Sequence, residues 1–275
     1  MGRGAGARAR GGPVGPRAGR RRAGGTAAGP SLAVPAPLTP PGLRAVAFDY
    51  GDTLVRFRRP LAALDRLDPE LRRVLGTRRS AAFGPSALAR ALDTEVERAA
   101  ARPPPDPPLR ELEIAAVYSR ALAQLGMDGV GARTRAQVLR LHQHAWFAGV
   151  AVRPGVPALL RALRGRGLRV GLCSNAPYPA PILRAQLRHL ELLPLLDAVV
   201  FSSEVGWRKP HPLIFRALVR RLRVPAAAVL FVGDSPAADL AGAAAAGMRA
   251  RRAPSGESPD WAGVLAAAEQ VRSWD

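Results

Sequence analysis

The sequence predicts an α/β fold: a doubly wound parallel sheet interrupted by a helical insertion. Three observations carry this expectation. Short apolar runs, "RAVAFDY" (44–50), "LRVGLCSN" (168–175), "AVVFSSE" (198–204) and "AVLFVGD" (228–234), each end in polar residues. Segments with helical spacing lie after them, over 157–166, 180–190 and 212–222. Strands buried on both faces read as continuous apolar runs, and strands that alternate with helices build a parallel sheet. The third observation is the long gap between the first two runs, which is filled by helix-like stretches. These include "PELRRVLGTRRS", "SALARALDTEVERAA", "LRELEIAAVYSRALAQLG" and "RAQVLRLHQHAWFAG".

Residues 1–42 come first, and they are Gly, Arg, Ala and Pro without hydrophobic periodicity. Such a segment buries too little surface to offset its ordering entropy, so a disordered extension is expected there. Its Arg-rich, acid-free character fits a mitochondrial-type presequence, but its Gly and Pro density opposes an amphipathic helix. The expected core then comprises 43–59 and 151–275, and the expected helical cap comprises 60–150. The proline run "RPPPDPP" (102–108) divides the cap, because proline breaks helix.

The formal charge of +20 raises nucleic acid as a partner, but residues 1–44 hold eight arginines and no acid. Nearly every basic residue is Arg, and Ala, Gly and Pro abound. That composition is what GC-rich coding produces, so a nucleic-acid partner is not expected. The chain has one lysine, Lys209, one asparagine, Asn175, and one cysteine, Cys173. A lone cysteine excludes an internal disulfide framework and fits a reducing compartment, the cytoplasm. Apolar runs stop well short of the roughly 18 to 20 residues that span a bilayer, so no membrane partner is expected.

In open parallel sheets ligands sit at the carboxyl ends of the strands. There the runs deliver Asp49, then Ser174 and Asn175, then Lys209 in "GWRKPHPLIF", then Asp234 with Asp239 in "VGDSPAAD". A carboxylate, a hydroxyl, a cation and an acidic pair suit phosphoryl transfer. Asp49 can attack phosphorus and form an aspartyl-phosphate that water hydrolyses. Mg²⁺ suits the oxygen ligands of Asp49, Asp234 and Asp239, while Ser174 and Lys209 suit the non-bridging phosphate oxygens. Asn175 can contact phosphate or shape the turn. His142 and His144 are two apart on a helix, which is poor metal geometry, and packing is expected for both. Cys173 is expected to pack as a small hydrophobe. Trp146, Trp207 and Tyr178 suit either a pocket wall or aromatic packing.

The order "FDYGDTL" … "LCSN" … "RKPHPLIF" … "FVGDSPAADLAGAAAAGM" resembles the haloacid dehalogenase-like hydrolase superfamily, over about residues 44–255. The resemblance implies an enzyme, a hydrolase of phosphatase type acting on a small phosphorylated substrate. It implies Asp49 as nucleophile, Ser174 and Lys209 on phosphate, and Asp234 with Asp239 on the metal. It also implies that the backbone carbonyl of Gly51 coordinates Mg²⁺. The family's usual acid/base Asp falls at Gly51, which cannot supply it. Three outcomes are open: Asp52 substitutes, the enzyme prefers good leaving groups, or activity is weak or lost. A 2-haloacid dehalogenase and a catalytically silent binding protein are the alternatives; a phosphonate hydrolase is not expected, because the insertion lacks lysine.

Overall fold

The computed structural model describes residues 42–101 and 107–270. The extension expected over 1–42 therefore lies outside the described residues except for Gly42, as does most of the proline run.

Five parallel strands form the main sheet: β1 (Ala45–Phe48), β4 (Arg169–Ser174), β5 (Ala198–Phe201), β6 (Val229–Gly233) and β7 (Arg249–Arg252). Their order is β5-β4-β1-β6-β7, with β1 paired to both β4 and β6. The chain adds β4 and β5 on one side of β1 and then crosses to add β6 and β7 on the other. That reversal opens a crevice at the carboxyl ends of β1, β4 and β6. The arginine-rich β7 went unread in the sequence because its "RARR" has no apolar run; it is an edge strand, where charge opposes intermolecular pairing.

Alternate residues of β1 enter opposite layers of core. Val46 and Phe48 pack with Leu159, Leu160 and Leu163 of α6 (Val156–Gly165) and with Leu183 and Leu187 of α7 (Ala180–His189). Ala45 and Ala47 face Ile214, Leu218 and Leu222 of α9 (Pro212–Leu222). The period-2 alternation of a strand, covered on both faces, explains why this segment reads as uniformly apolar.

Two short antiparallel strands, β2 (Val55–Phe57) and β3 (Val150–Val152), flank the helical insertion. Between them lie α1 (Leu61–Leu75), α2 (Thr77–Ser80), α3 (Ala87–Ala100), α4 (Ile114–Gln124) and α5 (Ala132–Ala145). Helix α1 starts earlier than the sequence suggests and runs through Pro69. Its Leu64, Leu67, Leu71 and Leu75 bury one continuous face, and that packing outweighs the local break. These helices share a core of their own, in which Leu64, Leu88, Leu92, Val117 and Val138 meet; Ile182 of α7 joins it from the sheet side. Among the described residues, no helix is long and apolar enough to cross a membrane.

Candidate active site

Each polar strand end of the sequence reading reaches the crevice or its supports. Asp49 follows β1, and its backbone N–H donates to Val232 of β6. Lys209 lies in the loop before α9 and is 4% exposed. Its Nζ donates to Asp49 Oδ1 and to Asp239 Oδ1, at 2.6 Å each. Burial alone would depress this ammonium, but Asp49, Cys173 and Asp239 outweigh it and raise Lys209 above the ordinary lysine value. Asp49 is raised from the ordinary carboxylate value, chiefly by burial, against the opposing pull of Lys209.

Asp239 belongs to a π-helical turn over Pro236–Ala241 that follows β6. Its second oxygen, Oδ2, accepts from the Ser235 backbone N–H at 3.0 Å. Gly233 makes this placement feasible, since a Cβ there would lie 2.4 Å from Asp239 Oδ2. Gly233→Ala is therefore expected to displace the carboxylate and lower the melting temperature, as measured by calorimetry. An unchanged melting temperature would show that Asp239 does not need this position.

Oxygens of Asp49, Asp234 and Asp239 lie within 4.8 Å of one another. Asp234 is partly exposed, and its value is raised by burial first and by the Asp239 charge second. Three convergent carboxylates, each offering hard oxygen and held against their mutual repulsion, fit a hard divalent cation.

Asn175 lines the pocket, and its amide also clamps the neighbouring loop: Nδ2 donates to the Lys209 carbonyl at 3.2 Å, and Oδ1 accepts from the Lys209 N–H at 2.7 Å. This two-point clamp fixes the backbone that presents the lysine, so Asn175 positions Lys209. Asp52 is absent from the pocket wall. Its Oδ1 accepts from Arg56 at 2.8 Å, and its side chain is 59% exposed. The left-handed backbone at Asp52 (φ 55°) turns the side chain out of the crevice occupied by its neighbour Gly51. Ser174 is buried at the end of β4 and lines the pocket, as does Gly51.

The pocket, of about 490 Å³, extends from the carboxylates to the inserted helices. Trp146 and Tyr178 line it, whereas Trp207 stacks on His211 at 4.0 Å instead. Sequence reasoning missed Tyr50, Phe57, Glu97, Gln143 and Gln186, which also line it. They lie on different elements with no shared motif, and only the fold brings them together. Tyr50 donates to Gln186 Oε1 at 2.9 Å. Phe57 sits against Gly51: a Cβ on that glycine would lie 3.1 Å from the ring.

Behind this wall Asp93 anchors a buried network. Its Oδ1 accepts from Trp146 Nε1 at 2.8 Å and contacts His142 Nε2 at 2.9 Å, while Arg59 donates to Oδ2 at 2.5 Å. His142 Nδ1 meets the Tyr118 hydroxyl, which also accepts from Gln143. Burial would raise Asp93, but hydrogen bonds from His142, Trp146 and Arg59 hold it below the ordinary value. His142 thus packs within the insertion, and His144 packs against Phe147 at 4.8 Å. Cys173 is fully buried and its thiol is pushed up to about 12 by that burial, which fits a packing role.

A sheet whose reversal point carries a buried Asp–Lys–Asp bridge defines a hydrolase-type crevice. The model of the haloacid dehalogenase-like hydrolase family matches residues 43–247, and the chain belongs to that family. The chain is similar to the phosphoglycolate phosphatase of Rhodospirillum rubrum, with 42% identity over 141 residues, 48% of this chain and 56% of that protein. It is also similar to the phosphoglycolate phosphatase of Cereibacter sphaeroides, with 42% identity over 99 residues, 36% of this chain and 43% of that protein. The chain thus spans about half the length of these curated relatives. Among solved structures, a 2-haloacid dehalogenase from Pseudomonas syringae pv. Tomato DC3000 superposes with a TM-score of 0.54 and 26% identity. That likeness covers 76% of this chain and 85% of the other.

Proposed function

We propose that the protein is a Mg²⁺-dependent phosphoric monoester hydrolase that acts on a small phosphorylated metabolite through an aspartyl-phosphate. The observation that carries this reading is the Lys209 ammonium held between Asp49 and Asp239, beside Asp234. In this reading Asp49 Oδ1 stays on Lys209 while Oδ2 attacks phosphorus. The Oδ2–P bond forms, the ester P–O bond breaks, and the leaving oxygen departs with the electron pair. Water then attacks the aspartyl-phosphate, releasing phosphate and restoring Asp49. Lys209 and the Ser174 hydroxyl bind non-bridging oxygens, and Asn175 keeps Lys209 in register. Asp49, Asp234 and Asp239, with the Gly51 carbonyl, would hold Mg²⁺, which supplies charge neutralisation between the anionic nucleophile and the anionic substrate.

The side chain at position 51 supplies no proton, and Asp52 lies outside the pocket wall in an exposed pair with Arg56. A missing general acid costs about 10² to 10⁴ in rate, so the enzyme acts slowly on alkyl esters and faster where the leaving group needs little protonation. The relatives named phosphoglycolate phosphatase support a phosphatase. The likeness to a 2-haloacid dehalogenase, together with the absent acid, favours dehalogenation as the second reading. The acidic pair Asp234/Asp239 beside Asp49 opposes it, because this pair has little purpose in a metal-free reaction.

Phosphate release from p-nitrophenyl phosphate, with and without Mg²⁺, tests the proposal. Turnover that requires Mg²⁺ is expected. Metal-independent halide release from a 2-haloacid, without phosphatase activity, would overturn it in favour of the dehalogenase.

A further inference from the structure

Building on the phosphatase reading, we infer that the pocket selects phosphate compounds whose leaving group is flat, ring-bearing and free of negative charge, and rejects leaving groups that carry a carboxylate. The first support is charge. The described pocket wall holds the carboxylates Asp49, Asp234, Asp239 and Glu97 and one cation, Lys209. Lys209 already serves Asp49 and Asp239. Arg59, which borders Glu97 at 4.0 Å, is bound to Asp93 at 2.5 Å and to Thr94 at 2.8 Å. A carboxylate on the leaving group would enter beside Glu97, whose side chain is 53% exposed and paired with Arg59, so it would meet like charge screened in part by solvent and no cation of the pocket wall left over for it.

Shape is the second support. Phe57 covers the space above Gly51 and meets Tyr50 edge-on, with ring centroids 5.9 Å apart and planes at 81°. Trp146 and Tyr178 supply further aromatic wall, and Trp146 is locked by its bond to Asp93. These flat faces, with Phe57 at 47% exposure forming the open rim and Trp146 the anchored wall, suit a planar ring. Phe57 thus packs where a side chain at position 51 would project.

The third support is the polar equipment. Gln186 is 5% exposed and Gln143 is 6% exposed. Tyr50 donates to Gln186 Oε1, and Gln143 Nε2 donates to the Tyr118 hydroxyl, with Tyr178 also bonded to Gln143. Tyrosines therefore hold two neutral amides within the pocket wall. Neutral amides recognise uncharged polar substituents, and they do not neutralise an anion.

The chemistry agrees. A phenol-type oxygen has a pKa near about 10, so it can leave with the P–O electron pair and take its proton from solvent afterwards. An alkyl alkoxide needs the acid that Gly51 does not supply.

The test uses the full-length protein with Mg²⁺ and measures kcat/KM by phosphate release. Its substrates are phenyl phosphate, 4-carboxyphenyl phosphate, 4-(aminomethyl)phenyl phosphate, acetyl phosphate and phosphoglycolate. Phenyl phosphate is expected to exceed its 4-carboxy analogue by about tenfold, the effect of one like charge at partial screening, and the aminomethyl analogue is expected to keep pace with it. Phosphoglycolate is expected to trail by about a hundredfold or more, since the pocket offers its alkoxide no general acid and its carboxylate no spare cation. Glu97→Gln should narrow the gap between the phenyl and carboxyphenyl substrates. Phe57→Ala should lower the ratio of phenyl phosphate to acetyl phosphate about tenfold, with a loss of aromatic packing as its cause. Phosphoglycolate turned over as well as phenyl phosphate would overturn the inference while leaving the phosphatase reading intact. No phosphate release from any substrate, acetyl phosphate included, would overturn both.

Discussion

Asp49→Asn is expected to abolish phosphate release, by at least ~10⁴-fold, as removal of a covalent nucleophile does. The amide preserves the shape of the carboxylate but cannot attack phosphorus. Stability should move the other way or not at all. Burial is the largest influence on Asp49 and raises it from the ordinary value, so the folded chain pays for holding this charge. Lys209 keeps Asp239 as a partner in the variant. The expected protein is therefore inactive with a melting temperature no lower than that of the wild type. Residual turnover above about a hundredth would assign the nucleophile to another residue, because partial losses of that size are typical of acid/base groups.

Lys209→Met is expected to cost both activity and stability. Met has similar length and no charge, so Asp49 and Asp239 would face each other without the cation that now bridges them. Breaking a buried pair by removing one partner destabilises by about 3–5 kcal/mol. The loss should depend on pH, and its sign follows from linkage. Asp49 is already raised above 3.8 with Lys209 opposing the rise; without the ammonium it rises further. A carboxyl raised in the folded state contributes stability that is complete below its unfolded value and is lost as pH climbs through its folded value. The difference in melting temperature between wild type and variant should thus be small near pH ~4 and large near pH ~7. Added Mg²⁺ should recover part of the deficit at neutral pH by supplying positive charge to the same carboxylates. A pH-independent deficit would mean that Lys209 acts there through packing alone.

The fold was legible because four strands of the main sheet, β1, β4, β5 and β6, obey one rule that β7 does not: a strand covered on both faces becomes an uninterrupted apolar run ending where the crevice begins. Asp49, Ser174, Lys209 and Asp239 follow from that rule, since each closes or follows such a run. Lys209 was legible for an added reason: in a chain that otherwise uses arginine, a compact ammonium fits between two carboxylates where a forked guanidinium would not. Asn175 was half-legible. Its polarity at a strand end is visible in sequence, but its grip on a backbone 34 residues away depends on how two loops meet. Asp52 shows the limit most clearly, because one left-handed residue reverses the direction of a side chain next to the site. Phe57, Gln143 and Gln186 had no signal at all. Each is an ordinary residue in an ordinary amphipathic or short extended segment, and its role arises from tertiary placement.

The seam formed by β2 and β3 has a consequence for how such a protein diverges. Both connections to the inserted helices run side by side through these two strands, and Arg58 and Gly149 close the seam with a 2.7 Å backbone hydrogen bond. The groups proposed for bond-breaking all sit on the sheet side, whereas Glu97, Gln143 and Trp146 sit beyond the seam, and Phe57 lies within it. Mutations that accumulate in the helices can therefore exchange one clientele of substrates for another while the inherited reaction continues unchanged.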